Sequence, residues 1–358
     1  MRLVRLWLTS FRNYADAALE PAPDGLTLIV GANGQGKTNL LEAVTYLATL
    51  RSFRGVPDEA LVSAGDEHAA VRAEVERDGR VLLLEAELRT GGRNRFQVNR
   101  QPLRRSRDLL GALRVSVFSP DDLALVKGGP AERRRFLDDV LVALHPRNDA
   151  LQAEVDRVLR QRTTLLKQAG GRLTAETEAT LDVWDAKLAD AGARLADARA
   201  DAAAGLEPGA GKAYGQLAGG VSSVEVCYVR SWEGSLIDAL AQARPEDVRR
   251  ATTTVGPHRD ELRLAVGGLP ARTHASQGEQ RSLAVALRLA AHGMVEEATG
   301  STPVLLLDDV FSELDGGRSE ALVANLPTGQ ALLTTAGAAP PGAVVALTVR
   351  VEDGRIDA

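Results

Sequence analysis

The chain has 358 residues, 44% hydrophobic and 25% charged, with a net charge of −5. This composition fits a soluble globular protein of one large domain or two smaller ones, and it argues against a uniformly basic nucleic-acid binder though not against a local basic patch. One cysteine, Cys227, excludes an intramolecular disulfide.

In chain order, Met1-Arg2-Leu3-Val4-Arg5 opens an alternating strand pattern rather than an apolar leader, so the cytoplasm is the expected location. Strand character runs through Arg2 to Leu8, Leu26 to Val30, Ala69 to Arg77, Val81 to Leu88 and Arg95 to Val98. Asp78-Gly79 between two of these runs is a hairpin signal. A helix is predicted from Asn39 to about Leu50.

Between the second strand and this helix, residues 31–38 read GANGQGKT, a full match to the pattern G-x-x-x-x-G-K-S/T. In such a loop the glycines let the backbone turn tightly and aim N–H groups at phosphate oxygens, and the following helix N-terminus adds positive potential. Gly31, Ala32, Asn33, Gly34, Gln35, Gly36, Lys37 and Thr38 are therefore the predicted nucleotide contacts. Lys37 is placed to reach the β- and γ-phosphates, and Thr38 to put a hydroxyl on Mg²⁺. The chain is predicted to bind a nucleoside triphosphate.

Residues 89–107 hold seven arginines and no acid: Arg89, Arg93, Arg95, Arg100, Arg104, Arg105 and Arg107. They are candidate phosphate contacts to DNA, joined by Arg133-Arg134-Arg135; the competing reading is a solvated hairpin with scattered ion pairs.

Past Pro120 the chain becomes helical and charge-rich, from Glu132 to about Ala204. Leu181, Trp184, Leu188, Ala191, Leu195, Ala198 and Ala202 recur at coiled-coil spacing over three heptads. A bundle packed on its own body and a projecting hairpin arm fit equally. Gly205 to Gly220 reads as a loop, Val221 to Arg230 as a strand, and Ser235 to Ala243 as a short helix. Within that strand Cys227 is expected to be a buried small hydrophobe. From Thr252 the α/β character returns, with a strand at Glu261 to Val266, a helix at Glu279 to His292 and a buried-type strand at Val304 to Leu307. The uncharged window Leu326 to Val349 contains Pro340-Pro341-Gly342, which predicts two short strands around a turn rather than a membrane span. The order predicts an α/β core, residues 1–125 and 250–358, interrupted by a mainly helical subdomain, 126–249.

Two acidic and signature features complete the chemistry. The apolar run Pro303 to Leu307 ends in Asp308-Asp309, as when a buried parallel strand delivers a carboxylate to Mg²⁺. Asp308 is the predicted metal ligand and Asp309 the predicted general base orienting the attacking water. Ser276-Gln277-Gly278-Glu279-Gln280 opens a helix. It reads as a capping box, and equally as a hydroxyl, N–H groups and a helix dipole offered to an anion.

The order of phosphate loop, SQGEQ, LLLDD and Ser312-Glu313-Leu314-Asp315 resembles ABC-type ATPase heads, SMC proteins among them. The closer resemblance is to the RecF family of bacterial recombination mediators, carried by LTSFRNY (8–14), RSFR (51–54), VFSPDDLALVKGGPAERRRFLD (117–138), GPHRD (256–260) and SQGEQRSLAVALRLA (276–290). It implies an α/β fold: an ABC-type P-loop ATPase head with an inserted helical, coiled-coil-like subdomain. It further implies ATP and Mg²⁺ as cofactors, with Lys37 and Thr38 on the phosphates and metal and Asp308 completing the metal shell. Ser276, with Gly278 and Gln280, would contact the γ-phosphate across an ATP-driven homodimer. Asp309 stands where most such heads carry glutamate, so slow, DNA-stimulated hydrolysis is expected. The usual switch histidine is replaced near Thr335, and no clear glutamine lies around Phe118 to Asp122. Arg12 and Asn13 either flank the nucleotide or form a surface turn. The implied function is DNA binding in replication and recombinational repair, on double-stranded DNA and single-strand/double-strand junctions, with RecO- and RecR-type partners. A transporter ATPase subunit would need a membrane partner, an SMC-like structural protein a far longer coiled coil, and a metabolic kinase would have no use for the signature motif.

Overall fold

The elements follow from burial patterns that repeat along the chain, and the computed structural model describes residues 1–219 and 223–357. Strands β1 (Arg2–Phe11), β2 (Tyr14–Leu19) and β3 (Gly25–Val30) lead into helix α1 (Lys37–Thr49). A meander follows: β4 (His68–Arg77), β5 (Arg80–Arg89), β6 (Arg95–Val98) and β7 (Gln101–Pro102), then β8 (Val115–Phe118). The helical stretch comprises α2 (Leu123–Lys127), α3 (Pro130–Leu144), α4 (Asn148–Gln168) and α5 (Ala175–Ala218). Strand β9 (Val224–Val229), helix α6 (Leu236–Arg250), strands β10 (Glu261–Val266) and β11 (Leu269–Pro270), and the short α7 (Ala271–His274) come next. The chain closes with α8 (Gln277–Thr299), β12 (Val304–Asp308), α9 (Gly316–Ala324), β13 (Gln330–Thr335), β14 (Val345–Glu352) and β15 (Arg355–Asp357).

Two compact units result: Met1–Leu123 with Gly209–Val221 and Ser276–Ala358, and Ala124–Pro208 with Ser222–Ala275. The first unit holds two six-stranded sheets. One is antiparallel, in the order β2-β1-β4-β5-β6-β7. Its alternation is strict: Val71 faces Ala86 and Ala73 faces Leu84, all buried, while their neighbours point outward. Asp78 and Gly79 both take positive φ, 52° and 72°, as the two-residue turn between β4 and β5 requires. The buried face joins Leu40, Leu41, Val44 and Leu47 of α1 in one core.

The second sheet runs β15-β14-β3-β13-β12-β8, parallel from β14 through β8. Strand β12 is buried at every position, which explains its continuous apolar run instead of an alternating one. Parallel pairing aligns the carboxyl ends: Asp308 sits beside Thr334, and Thr334 beside Ile29 just ahead of the phosphate loop. Open α/β sheets place ligands at that edge.

The second unit combines α3, α4, most of α5 and α6 with the antiparallel sheet β11-β10-β9. Its interior is ionic as well as apolar. Arg162 on α4 is fully buried and donates to Asp185 on α5 at 2.6 Å and to Asp247 on α6 at 2.7 Å. Arg199 on α5 donates to both carboxylate oxygens of Asp138 on α3, at 2.7 and 2.8 Å. Leu181, Leu188, Ala191, Leu195 and Ala202 are buried, as the helical spacing requires. Among the described residues no helix is long and apolar enough to cross a membrane.

Several local expectations change. Residues 205–218 are helical, not loop: α5 runs on to Ala218 with Pro208 inside it. Packing overrides glycine and proline propensity there, because Leu206, Ala210, Ala213, Tyr214 and Leu217 are buried at helical spacing. Gly209 has a reason of its own: a Cβ would stand 3.1 Å from that of Ala290. Gly220, Val221 and Ser222 lie outside the described residues. The helix after β9 reaches Arg250 rather than Ala243. Cys227 is exposed, because the alternation that buries Val224 and Val226 turns it to the opposite face. The uncharged window 326–349 does hold strands, β13 and the start of β14, and no membrane helix.

Candidate functional site

The phosphate loop joins β3 to α1, and two of its glycines, Gly31 and Gly36, are dictated by close approach. At Gly31 a Cβ would lie 2.3 Å from the Val351 carbonyl oxygen. Gly36 has φ +115°, and a Cβ there would meet the Asn13 amide at 2.7 Å and the Tyr14 hydroxyl at 2.9 Å. Gly36 caps α1 without a side-chain bond and no acid occupies the first turn, so the leading N–H groups and the helix dipole are left for an anion. Ala32, Asn33 and Gly34 are exposed and Gln35 is half-buried. Lys37 folds back over the loop, its ammonium donating to the carbonyls of Gly31 at 2.8 Å and Ala32 at 2.9 Å. Burial lowers the pKa of Lys37, opposed by the nearby charges of Asp309 and Asp308.

The metal-type oxygens converge from three elements. Thr38 Oγ1 donates to Asp308 Oδ1 at 2.8 Å, and Thr334 Oγ1 donates to the same oxygen at 2.7 Å. Burial raises the pKa of Asp308, and the hydrogen bonds from Thr334 and Thr38 oppose the rise. Asp309 takes a left-handed backbone, φ 48°, and its N–H donates to Thr334 at Oγ1 (3.0 Å) and at the carbonyl oxygen (3.2 Å). Among the described residues nothing donates to the half-buried Asp309 carboxylate, which leaves it available to a water. Thr334 is the residue that sequence reasoning missed. Attention fell on Thr335, whose hydroxyl instead accepts from the Gly337 N–H at 3.1 Å. No cluster of three or more His, Cys, Asp and Glu exists among the described residues. Hard oxygens from Thr38 and Asp308 nevertheless suit Mg²⁺, which takes one or two protein oxygens and fills its shell with phosphate and water.

Arg12 and Asn13 brace the loop from behind. The Arg12 guanidinium grips the fully buried Glu42 of α1 through Nε and Nη2, both at 2.8 Å, and donates to the Ala60 carbonyl at 2.8 Å. Ser52 donates to the same Glu42 carboxylate. Asn13 donates to the Gln35 carbonyl at 2.9 Å, and Tyr14 donates to the Gly36 carbonyl at 3.0 Å. The β14–β15 turn adds the Asp353 N–H on the Gln35 side chain and the Gly354 N–H on its carbonyl. The loop is thus pinned at Gln35 and Gly36 while Ala32 to Gly34 stay open.

Ser276 caps α8 in a complete capping box. Its hydroxyl accepts from the Glu279 N–H at 3.3 Å, and both its N–H and hydroxyl donate to the Glu279 carboxylate at 2.7 Å. Those bonds lower the pKa of Glu279. Ser276 is exposed, whereas Gln280 is buried. A Cβ at Gly278 would meet the Arg318 guanidinium at 2.7 Å. Among the described residues, no hydrogen bond of the phosphate loop reaches Ser276 or Gly278.

The arginine cluster lies along the β5–β6–β7 edge and just after it. Arg89 is half-buried and pairs with Glu87, its Nε donating at 2.6 Å. Arg93, Arg95, Arg100, Arg104 and Arg105 are exposed and Arg107 is half-buried; among the described residues none of these six guanidinium groups has a hydrogen bond or ion pair. Arg133 is different. It is buried and held by Glu261 at 2.7 and 2.8 Å, so it is not a surface contact.

Known proteins resemble this chain over its whole length. A family model described as the RecF/RecN/SMC N-terminal domain matches residues 2–333. A protein named DNA replication and repair protein RecF from Streptomyces avermitilis is 46% identical, covering 100% of both chains. A protein of the same name from Frankia alni is 46% identical over 94% of this chain and 93% of its own. A solved structure of the recombination mediator protein RecF with ATP superposes with a TM-score of 0.91 at 30% identity, covering 99% of this chain and 96% of that one. An Smc head bound to the C-terminal winged-helix domain of ScpA gives 0.57 at 16% identity, covering 100% and 96% of the two chains, a likeness of fold.

Proposed function

The chain belongs to the RecF family of DNA replication and repair proteins, and on that premise we propose that it acts as an ATP-gated dimer on DNA. The carrying observation is the meeting of Thr38 and Asp308 at 2.8 Å beside Lys37, in a unit whose signature residue Ser276 is exposed. ATP sits with its phosphates on the loop N–H groups, and Lys37 exchanges the carbonyls of Gly31 and Ala32 for phosphate oxygens. Thr38 and Asp308 hold Mg²⁺, which when bound neutralises charge on the β- and γ-phosphates. Asp309 orients the attacking water from a side chain one methylene shorter than glutamate, which keeps hydrolysis slow. Ser276 and the N-terminus of α8 from a second copy close over the γ-phosphate, so that ATP holds the dimer and its cleavage releases it.

On DNA, the unpaired arginines of 93–107 contact phosphates, fixing position without reading sequence. Duplexes, single-strand/double-strand junctions and RecO- and RecR-type proteins are the proposed partners, and DNA is proposed to stimulate the weak ATPase. The dimer is tested by light scattering with ATP: Ser276→Arg should abolish dimerisation and leave ATP binding by the monomer intact. Normal dimerisation of that variant rejects the reading.

A further inference from the structure

A cavity of about 690 Å³ opens beside the arginine-rich edge of the antiparallel sheet. Tyr46 and Leu50 of α1 form part of its wall, with Asp58, strand β6 and the segment after β7. It is separate from the nucleotide loop. Tyr46 lies nine residues beyond Lys37 on α1, which at 1.5 Å per residue is about 13 Å along the helix.

The lining combines two chemistries. Phe96, 9% exposed at the margin of the core, and half-buried Leu103 supply apolar surface, while Arg93, Arg95 and Arg104 supply positive charge. None of the three guanidinium groups has a hydrogen bond or ion pair among the described residues. The acid in the wall forms no ion pair with them among the described residues: Asp58 accepts from the Tyr46 hydroxyl at 2.8 Å and from the Asn94 amide at 2.6 Å. A hollow with three unengaged guanidinium groups and an apolar wall suits a ligand that carries both an anion and a planar apolar body. Its volume is that of a small-molecule pocket, larger than inorganic phosphate needs and too small to admit a duplex.

We propose that this cavity receives one unpaired nucleotide of a DNA strand, with the base against Phe96 and Leu103 and the phosphate on the arginines. Aromatic surfaces and guanidinium planes are how single strands are held without sequence preference. The proposal rests on the DNA-binding reading above and adds a selection to it. Arg100, Arg105 and Arg107, which are not among the lining residues, meet phosphates of any strand. The cavity rewards DNA that can extrude or lacks a pairing partner.

The test compares fluorescence anisotropy of a single-stranded oligothymidine and a duplex of equal length over a range of salt. The proteins are the wild type, a cavity triple variant (R93A, R95A and R104A) and an outer triple variant (R100A, R105A and R107A). The cavity variant should lose about tenfold or more on the single strand and less than about threefold on the duplex. Its slope of log affinity on log salt should be shallower by about 0.7, as the loss of one single-strand phosphate contact implies. ATP binding should match wild type in both variants, which checks folding. An abasic oligonucleotide of equal phosphate count should bind wild type several-fold more weakly. Equal affinity for it overturns base insertion. Equal losses from both variants on both DNAs overturn the cavity and leave the DNA reading standing. Wild-type protein that binds neither DNA overturns that reading itself. Binding of free thymidine monophosphate to wild type but not to the cavity variant, with equal affinity of both proteins for the strand, assigns the cavity to a free nucleotide and overturns the proposal.

Discussion

Replacing Thr334 by valine removes one hydroxyl from the centre of the metal site while keeping its shape. In the native protein that hydroxyl donates to Asp308 at 2.7 Å and accepts from the Asp309 N–H at 3.0 Å. Asp308 is buried, so the carboxylate loses a donor that water cannot replace. A hydrogen bond to a charged group contributes about 1.5–3 kcal/mol, which corresponds to roughly 10- to 150-fold in an equilibrium constant. Thr334→Val should therefore weaken ATP binding in the presence of Mg²⁺ by about that factor, and binding in EDTA far less, because the loop N–H groups and Lys37 are untouched. Thr334→Ser should restore most of it. The pH dependence carries a sign. Burial already raises the pKa of Asp308, so its ionised form destabilises the fold at neutral pH and that cost disappears as acid protonates it. The stability penalty of the valine variant should thus be largest above the folded-state pKa and vanish in acid. Loss of Mg²⁺-dependent affinity on acidification should begin at higher pH than for an ordinary aspartate, and higher still in the variant. Titration of a fluorescent ATP analogue with and without Mg²⁺ over a range of pH measures the binding effects, and denaturant unfolding over the same range measures the stability penalty. Wild-type affinity in Thr334→Val at neutral pH would refute the role assigned to the hydroxyl.

Arg12→Met leaves Glu42 buried with only Ser52 and a distant Arg54 for company, at 4.0 Å; denaturant unfolding should show a loss of about 3 kcal/mol, much of it recovered when Glu42→Gln is added. Arg162→Met removes the buried guanidinium shared by Asp185, which keeps Arg244 at 2.7 Å, and Asp247, which keeps only the Thr254 N–H and hydroxyl; it should cost about 3 kcal/mol, read from the same unfolding curves, whereas Arg194→Met, which breaks an exposed pair at 3.1 Å, should cost less than about 1 kcal/mol. Gly36→Ala places a Cβ against Asn13 and Tyr14 at a φ of +115°, so ATP binding measured by calorimetry should fall by at least tenfold, while the same change at exposed Gly91, where a Cβ meets nothing within 4 Å, should leave it unchanged.

What was legible in the sequence depended on how far apart the cooperating atoms lie along the chain. The strand–loop–helix at 31–38 and the carboxylate that ends β12 could be read because each is packed into a short run with fixed spacing. Asp78-Gly79 was legible for the same reason: two positive φ values are a local demand. Thr334 was not, since its importance comes from parallel pairing with Asp308 across 26 residues, and neighbouring Thr335 looks identical until the register is known. Helix α5 past Gly205 failed in the other direction. Local propensity was read correctly there and was outweighed by the burial of Leu206, Tyr214 and Leu217.

The turn between β1 and β2 shows why motif and mechanism can diverge. As sequence, Arg12 and Asn13 stand near a nucleotide loop and invite a role on the ligand. In the structure their polar groups are already engaged with Glu42, Gln35 and Asn39. The Asn13 amide and the Tyr14 hydroxyl hold the far side of the loop at Gln35 and Gly36, the β14–β15 turn holds it from another direction, and Arg12 ties the turn that carries them to α1 through Glu42. A loop whose glycines exist to let the backbone approach phosphate is, by the same freedom, costly to order. Fixing it before ATP arrives removes that cost from binding. Arg12 is therefore best understood as stabilising the free protein's loop geometry. Arg12→Met together with Glu42→Gln should lower the ATP on-rate and affinity together, even where global stability has been recovered.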